Sequence, residues 1–135
     1  MTNLELARWY AALLGVGLVV LGLAGFFENP IVGESANEPL FHAGAAHNML
    51  HVASGSVALF IAFGLGAVGL VRGLLVFGMA YLGLLVLTVA EPSLFGLFET
   101  EANLAGHALY AGLASVTIAV AWLARSTQEA RRSTV

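Results

Sequence analysis

"AAHNMLHVASGSVALFIAFGLGAVGL", residues 45–70, is the stretch whose reading decides the fold. It holds no acidic or basic residue, and its most polar side chains, His47, Asn48 and His51, crowd its first two turns. A run this long and apolar exceeds the ~20 residues with which a helix crosses ~30 Å of hydrocarbon. Three more runs resemble it, at 7–27, 73–90 and 104–124. The strict alternation of apolar and polar residues that marks a membrane β-barrel is missing from all of them. In lipid, continuous runs satisfy their backbone hydrogen bonds only as helices. The expected fold is therefore all-α, an integral membrane four-helix bundle, with residues 1–135 forming a single transmembrane domain.

Composition agrees. Of the residues, 59% are hydrophobic and 10% charged, where soluble domains have nearly half and a quarter. Four spans and their connections use up the 135 residues, leaving no room for a separate soluble domain. The absence of cysteine excludes disulfides, thiolate metal sites and cysteine nucleophiles. Arg8 ahead of the first run gives it a likeness to a secretory signal. The run is longer than the ~7–15 apolar residues of a signal and ends in Phe26 and Phe27, where cleavage needs small side chains, so it is expected to stay as a helix.

Charge orients the bundle. Arg8, Arg72, Arg125, Arg131 and Arg132 fall in the N-terminus, the connection between the second and third runs, and the C-terminal tail. Those three segments share one side of a four-span protein. The other two loops carry Glu28, Glu34, Glu38, Glu91, Glu99 and Glu101 and no arginine. By the bias of basic residues toward the cytoplasm, the expectation is a multi-pass protein of the cell inner membrane with both termini cytoplasmic. "GLVRG", residues 69–73, reads as the short cytoplasmic turn, and Trp9, Tyr10 and Trp122 as an interfacial aromatic belt.

The two halves echo each other. "GFFENPIVG" closes the first run and "TVAEPSLFG" the third, each with a glutamate, a proline and then a glycine. Each is followed by a loop and then by an amide and a histidine at the start of a helix, Asn48 with His51 and Asn103 with His107. Since both halves run out and back, they are expected to be two parallel helical-hairpin repeats. The loop from Glu28 to Gly44 and its counterpart from Pro92 to Ala102 should lie across the outer end of the bundle.

Histidines 47 and 51 share a helix face that continues through Ser54, Ala58, Ala62 and Gly66, while His42 lies in the preceding loop. In the fourth run the corresponding series is Asn103, His107, Ala111, Ala114, Ile118 and Ala121. Small stripes are where membrane helices approach closely, so both faces should turn inward. His47, Asn48, His51, Asn103 and His107 then form an outer polar cluster, with Glu28 and Glu91 in reach and Tyr110 as a further donor. Three uses stay open beside proton or ion passage through the centre, which the lack of a glutamate in mid-span argues against. The cluster closes the bundle structurally; or His47, His51 and His107, with a glutamate, hold zinc or copper; or haem sits between His47 or His51 and His107.

No nucleophile stands beside a base, so an enzyme is not expected. "GVGLVVLG", residues 15–22, mimics part of a dinucleotide fingerprint but follows no strand and reads as packing glycine. Nothing in the tail "RSTQEARRSTV" points to nucleic acid; it suits anionic lipid headgroups. The expected partners are the lipid bilayer and, as an accessory or interaction subunit, a homo-oligomer or a larger membrane complex.

"HNMLHVASG", residues 47–55, and "LFGLFETEANLAGH", residues 94–107, resemble the two histidine motifs of a prokaryotic four-helix membrane-protein family, domain of unknown function 4383. The resemblance covers most of the chain and marks His47, Asn48, His51, Gly55, Gly96, Asn103 and His107. It implies the same four-helix architecture and no established activity. The second copy departs in spacing: Asn103 stands four residues before His107, whereas Asn48 stands three before His51. One extra residue turns a side chain by about 100° around a helix.

Overall fold

The computed structural model describes residues 1–33, 39–97 and 102–132, the final six of them by backbone alone. Its elements are α1 (Asn3–Ala24), β1 (Val32–Gly33), β2 (Phe41–His42), α2 (Ala45–Gly64), α3 (Ala67–Ala90) and α4 (Leu104–Arg132). Asn3–Ala24, Ala45–Gly64, Ala67–Ala90 and Leu104–Ser126 are each long and apolar enough to cross a membrane.

Local chemistry sets the helix ends, and several differ from the hydropathy runs. Helix α1 starts at Asn3 instead of residue 7 because Thr2 and Glu5 form a capping box: Glu5 N–H donates to Thr2 Oγ1 at 3.2 Å and Thr2 N–H to Glu5 Oε2 at 2.7 Å. It stops at Ala24, short of residue 27, where Asn29 gathers the chain. The Asn29 amide donates to the carbonyls of Ala24, Phe27 and Val32, and its oxygen accepts from Ile31 and Val32 N–H, all at 2.8–2.9 Å. The turn between α2 and α3 is not "GLVRG" but the extended pair Leu65 and Gly66. Hydropathy cannot see a two-residue break inside apolar sequence, and Arg72 consequently lies within α3.

The helices associate as two tight pairs. Helix α1 lies along α2 and α3 along α4, α1 also touches α4, and α2 and α3 touch little although they are consecutive. Glycines bring α1 and α2 together. A methyl group on Gly55 would stand 2.7 Å from the Gly15 carbonyl oxygen and from Val19 N, and one on Gly22 would stand 2.6 Å from the Asn48 carbonyl oxygen. Gly78 does the same work for α3, where a methyl group would meet Ile118 Cγ1 at 2.7 Å. Lipid tails are as apolar as leucine, so such close backbone contact, more than hydrophobic burial, holds membrane helices together. The interior is accordingly small: Ala7, Ala11, Ala58, Ala62, Ala121 and Ala124 are fully buried, while Trp9, Leu13, Phe60, Phe63, Val76 and Trp122 face outward.

At the end of the bundle where α2 stops, Arg8 closes the helix. Its guanidinium donates to the carbonyls of Ala62 and, at 3.1 Å, Leu65, at the negative end of the helix dipole. Arg8→Met is expected to lower stability by about 1.5–3 kcal/mol, the usual worth of hydrogen bonds to a charged group, and Arg8→Lys to recover only part, since an ammonium lacks the planar fork. Thermal unfolding followed by circular dichroism in one detergent checks both.

At the opposite end the long loop folds back as a short parallel ladder. Val32 pairs with Phe41 and Gly33 with His42, Phe41 N–H donating to the Ile31 carbonyl at 2.8 Å and Ala43 N–H to the Gly33 carbonyl at 3.2 Å. Val32 is fully buried, so the ladder is seated on the helix ends.

Candidate functional site: a buried imidazole and phenol cluster

Beneath that ladder, α2 turns His47, Asn48 and His51 inward, each no more than 2% exposed. Their backbone positions, one helical turn apart, put both imidazoles on the face that continues through Gly55, Ala58 and Ala62. The ring centroids of His47 and His51 are 4.9 Å apart. Across from them stands Tyr110 of α4, itself fully buried, at 5.7 Å from the His47 ring and 6.5 Å from His51. Its hydroxyl is hydrogen-bonded to His47 Nε2. That bond joins the two helix pairs.

One turn deeper, α3 contributes Tyr81, whose ring lies 5.8 Å from Tyr110 and 5.1 Å from Phe77. The Tyr81 and Ser54 hydroxyls are 2.8 Å apart, and Ser54 also donates to the His51 carbonyl at 3.2 Å. Further along, Tyr10 of α1 meets Thr117 of α4, oxygen to oxygen, at 2.7 Å. Hydroxyls thus tie helices of different pairs at successive depths. In hydrocarbon a polar side chain is retained only where it finds such a partner on an interior face.

Asn48 belongs to another job. Its amide donates to the Gly25 carbonyl at 2.8 Å, fastening the end of α1 to the start of α2. The Asn48 side chain occupies the space a methyl group on Gly25 would need. Its Oδ1 is buried without a hydrogen-bond partner among the described residues.

The second half of the expected cluster assembles differently. Asn103 is the N-cap of α4, its Oδ1 accepting from Gly106 N–H at 3.0 Å and its amide donating to the Leu40 carbonyl at 2.9 Å. Asn103→Ala is expected to cost about 1 kcal/mol, as loss of an N-cap does, and to leave the imidazole resonances of His47 and His51 unshifted by NMR. His107 is half-buried, off the face carrying Gly106, Tyr110, Ala114, Thr117 and Ala121. Its Nε2 is buried with no hydrogen-bond partner among the described residues. The extra residue between Asn103 and His107 has the rotation as its consequence: the buried place opposite the α2 histidines falls to Tyr110. Glu91 ends α3 and accepts from the Ser93 hydroxyl at 2.7 Å, while Glu28 is exposed. Neither carboxylate is bonded to an imidazole among the described residues. Glu34, Glu38, Glu99 and Glu101 lie outside the described residues.

Among the described residues no group of three His, Asp or Glu side chains is placed to hold a metal ion, so His107 does not complete a zinc or copper set with His47 and His51. On the α4 side of His47 stands Tyr110, hydrogen-bonded directly to it. Sequence reasoning passed over Tyr81 and took Ser54 only as one of the small residues of the inward face. The available signal was a tyrosine in mid-run, far from the interface where membrane tyrosines ordinarily sit.

Compared with protein-family models, with curated proteins and with solved structures, the chain gives no match.

Proposed function

We propose that the chain is a non-enzymatic accessory or interaction subunit of the cell inner membrane, spanning it four times with both termini cytoplasmic. The observation that carries this reading is the pairing of two sets of interior side-chain groups across helices, while His51 Nδ1, Asn48 Oδ1 and His107 Nε2 are buried without a hydrogen-bond partner among the described residues. The His47–Tyr110 and Ser54–Tyr81 hydrogen bonds link helices to one another within the interior, and the surface left for a partner consists of apolar helix faces. The cluster works as a clamp that fixes how one helix pair stands against the other.

The placement of the arginines supports the orientation, since Arg8 and Arg72 lie near the α2 and α3 ends that meet at Leu65 and Gly66. Two parallel hairpin repeats belong to the same proposal. Gly15 of α1 and Gly78 of α3 are both points of close approach to the following helix. His51, Gly55, Ala58 and Ala62 of α2 have the same spacing as Tyr110, Ala114, Thr117 and Ala121 of α4, and all eight are buried. In this register Tyr110, not His107, is the counterpart of His51. The resemblance to domain of unknown function 4383 remains part of the proposal on the same motifs.

An absorption spectrum, metal analysis and the mass of the particle released by a mild detergent test the reading together. The expected result is a colourless, metal-free protein in a particle whose protein mass, with bound detergent subtracted, exceeds the chain's own 14.0 kDa. A Soret band or a stoichiometric metal, lost on His51→Ala, overturns it.

A further inference from the structure

Helices α2 and α3 leave the Leu65–Gly66 break and diverge, enclosing a cleft of about 660 Å³. Its walls are apolar along almost their whole length, and Val57, Phe60 and Val76 at its rim face outward, so it opens sideways to whatever surrounds the helices. Toward one end it passes the Ser54 and Tyr81 hydroxyls, already bonded to each other, and runs on to Leu50 and Leu84. At the other end stands Arg72, exposed and with no hydrogen bond or ion pair among the described residues. Along α3 the lining runs from Gly69 to Leu84, about 22 Å at 1.5 Å per residue, more than one leaflet's half of a ~30 Å core.

We propose that this cleft binds one anionic phospholipid, an acyl chain lying between α2 and α3 and the headgroup phosphate on Arg72. The reading rests on the membrane placement above. Each part of the cleft matches a part of that ligand: an apolar slot open to the bilayer, deeper than one leaflet, and a single cation at its interfacial end. Backbone donors add to the cation. The N-cap of α3, Gly66, has no side-chain cap, so the first N–H groups of the helix have no intrahelical acceptor and lie at its positive end. Side chains on a helix lean toward its N-terminus, which brings the Arg72 guanidinium back toward those groups. A zwitterionic lipid such as phosphatidylcholine would satisfy the slot and bring a phosphate, but its choline cation offsets the charge presented to this end, whereas phosphatidylglycerol presents a net negative charge.

Native mass spectrometry of detergent-extracted protein supplied with phosphatidylglycerol or phosphatidylcholine tests it. One phosphatidylglycerol retained per chain in preference to phosphatidylcholine is expected. Arg72→Gln should reduce that preference about fivefold, the factor equivalent to about 1 kcal/mol for a basic residue at an anionic surface. Arg125→Gln, at the same end but off the cleft, should leave it intact. Ala80→Trp, an outward-facing cleft position, should abolish retention while helix content stays unchanged. Equal retention of both lipids, or a preference indifferent to Arg72→Gln, overturns the proposal. So does a lipid-free dimer across this face, detected by cross-linking of Val76→Cys in a chain with no native cysteine. Release of the chain from membranes by carbonate without detergent would instead overturn the membrane placement itself.

Discussion

Gly55→Ala is expected to lower the stability of the protein by about 3 kcal/mol, at the upper end of what overpacking costs. The new methyl group would stand 2.7 Å from both the Gly15 carbonyl oxygen and Val19 N. Both are backbone atoms of α1, so no rotamer change relieves the contact, and the two helices have to move apart along their length. Separation also loses the reciprocal contact at Gly15, whose own added methyl would meet the Gly55 carbonyl oxygen at 2.8 Å. Gly17, on the same helix but with nothing within 4 Å of an added methyl group, is the control. Gly17→Ala should be neutral or slightly stabilising, because alanine is the better helix former. Unfolding by a denaturing detergent, followed by circular dichroism, reads both. Equal stability of the two variants would mean that α1 and α2 do not cross as closely as the Gly15 and Gly55 positions require.

Tyr110→Ala should cost a similar or larger amount, about 3–5 kcal/mol, as truncation of a buried aromatic does. Tyr110 is fully buried and packs against His47, His51 and Tyr81, which belong to both other helices of the cluster. Tyr110→Phe keeps those ring contacts and removes only the hydroxyl bonded to His47, so it should cost about 1 kcal/mol, the usual size of a side-chain hydrogen bond between membrane helices. The difference between the two variants separates packing from bonding. Thermal unfolding in one detergent gives both. Were phenylalanine as damaging as alanine, the hydroxyl and not the ring would be what holds α4 to α2.

The helices were legible because a membrane span has a length and a composition, and each of the four runs meets both. Their ends were less so. The Leu65–Gly66 break lies inside unbroken hydropathy, and Arg72, which a charge-based reading takes as a turn residue, is carried on α3. Arg8 counted only as a topological charge, yet its guanidinium caps α2. The α2 half of the site followed from periodicity, since His47 and His51 and the small residues below them define one stripe. The α4 half was harder. A histidine attracts the eye by its chemistry, and the series through His107 and Ala111 is nearly as small as the one through Tyr110, Ala114 and Thr117. Which of two adjacent stripes faces inward depends on helix rotation, and composition alone does not decide it. The Asn-Pro pair at positions 29 and 30 was the turn signal that could have revealed Asn29 as the residue gathering the loop.

The central claim is that a bond between a buried imidazole and a buried phenol clamps the two helix pairs together. A double-mutant cycle on His47→Leu and Tyr110→Phe, with stabilities measured in the same detergent, tests it directly. A favourable coupling of about 1 kcal/mol is predicted for directly bonded membrane side chains. Losses that add to within about 0.3 kcal/mol, as they do for independent sites, would contradict it.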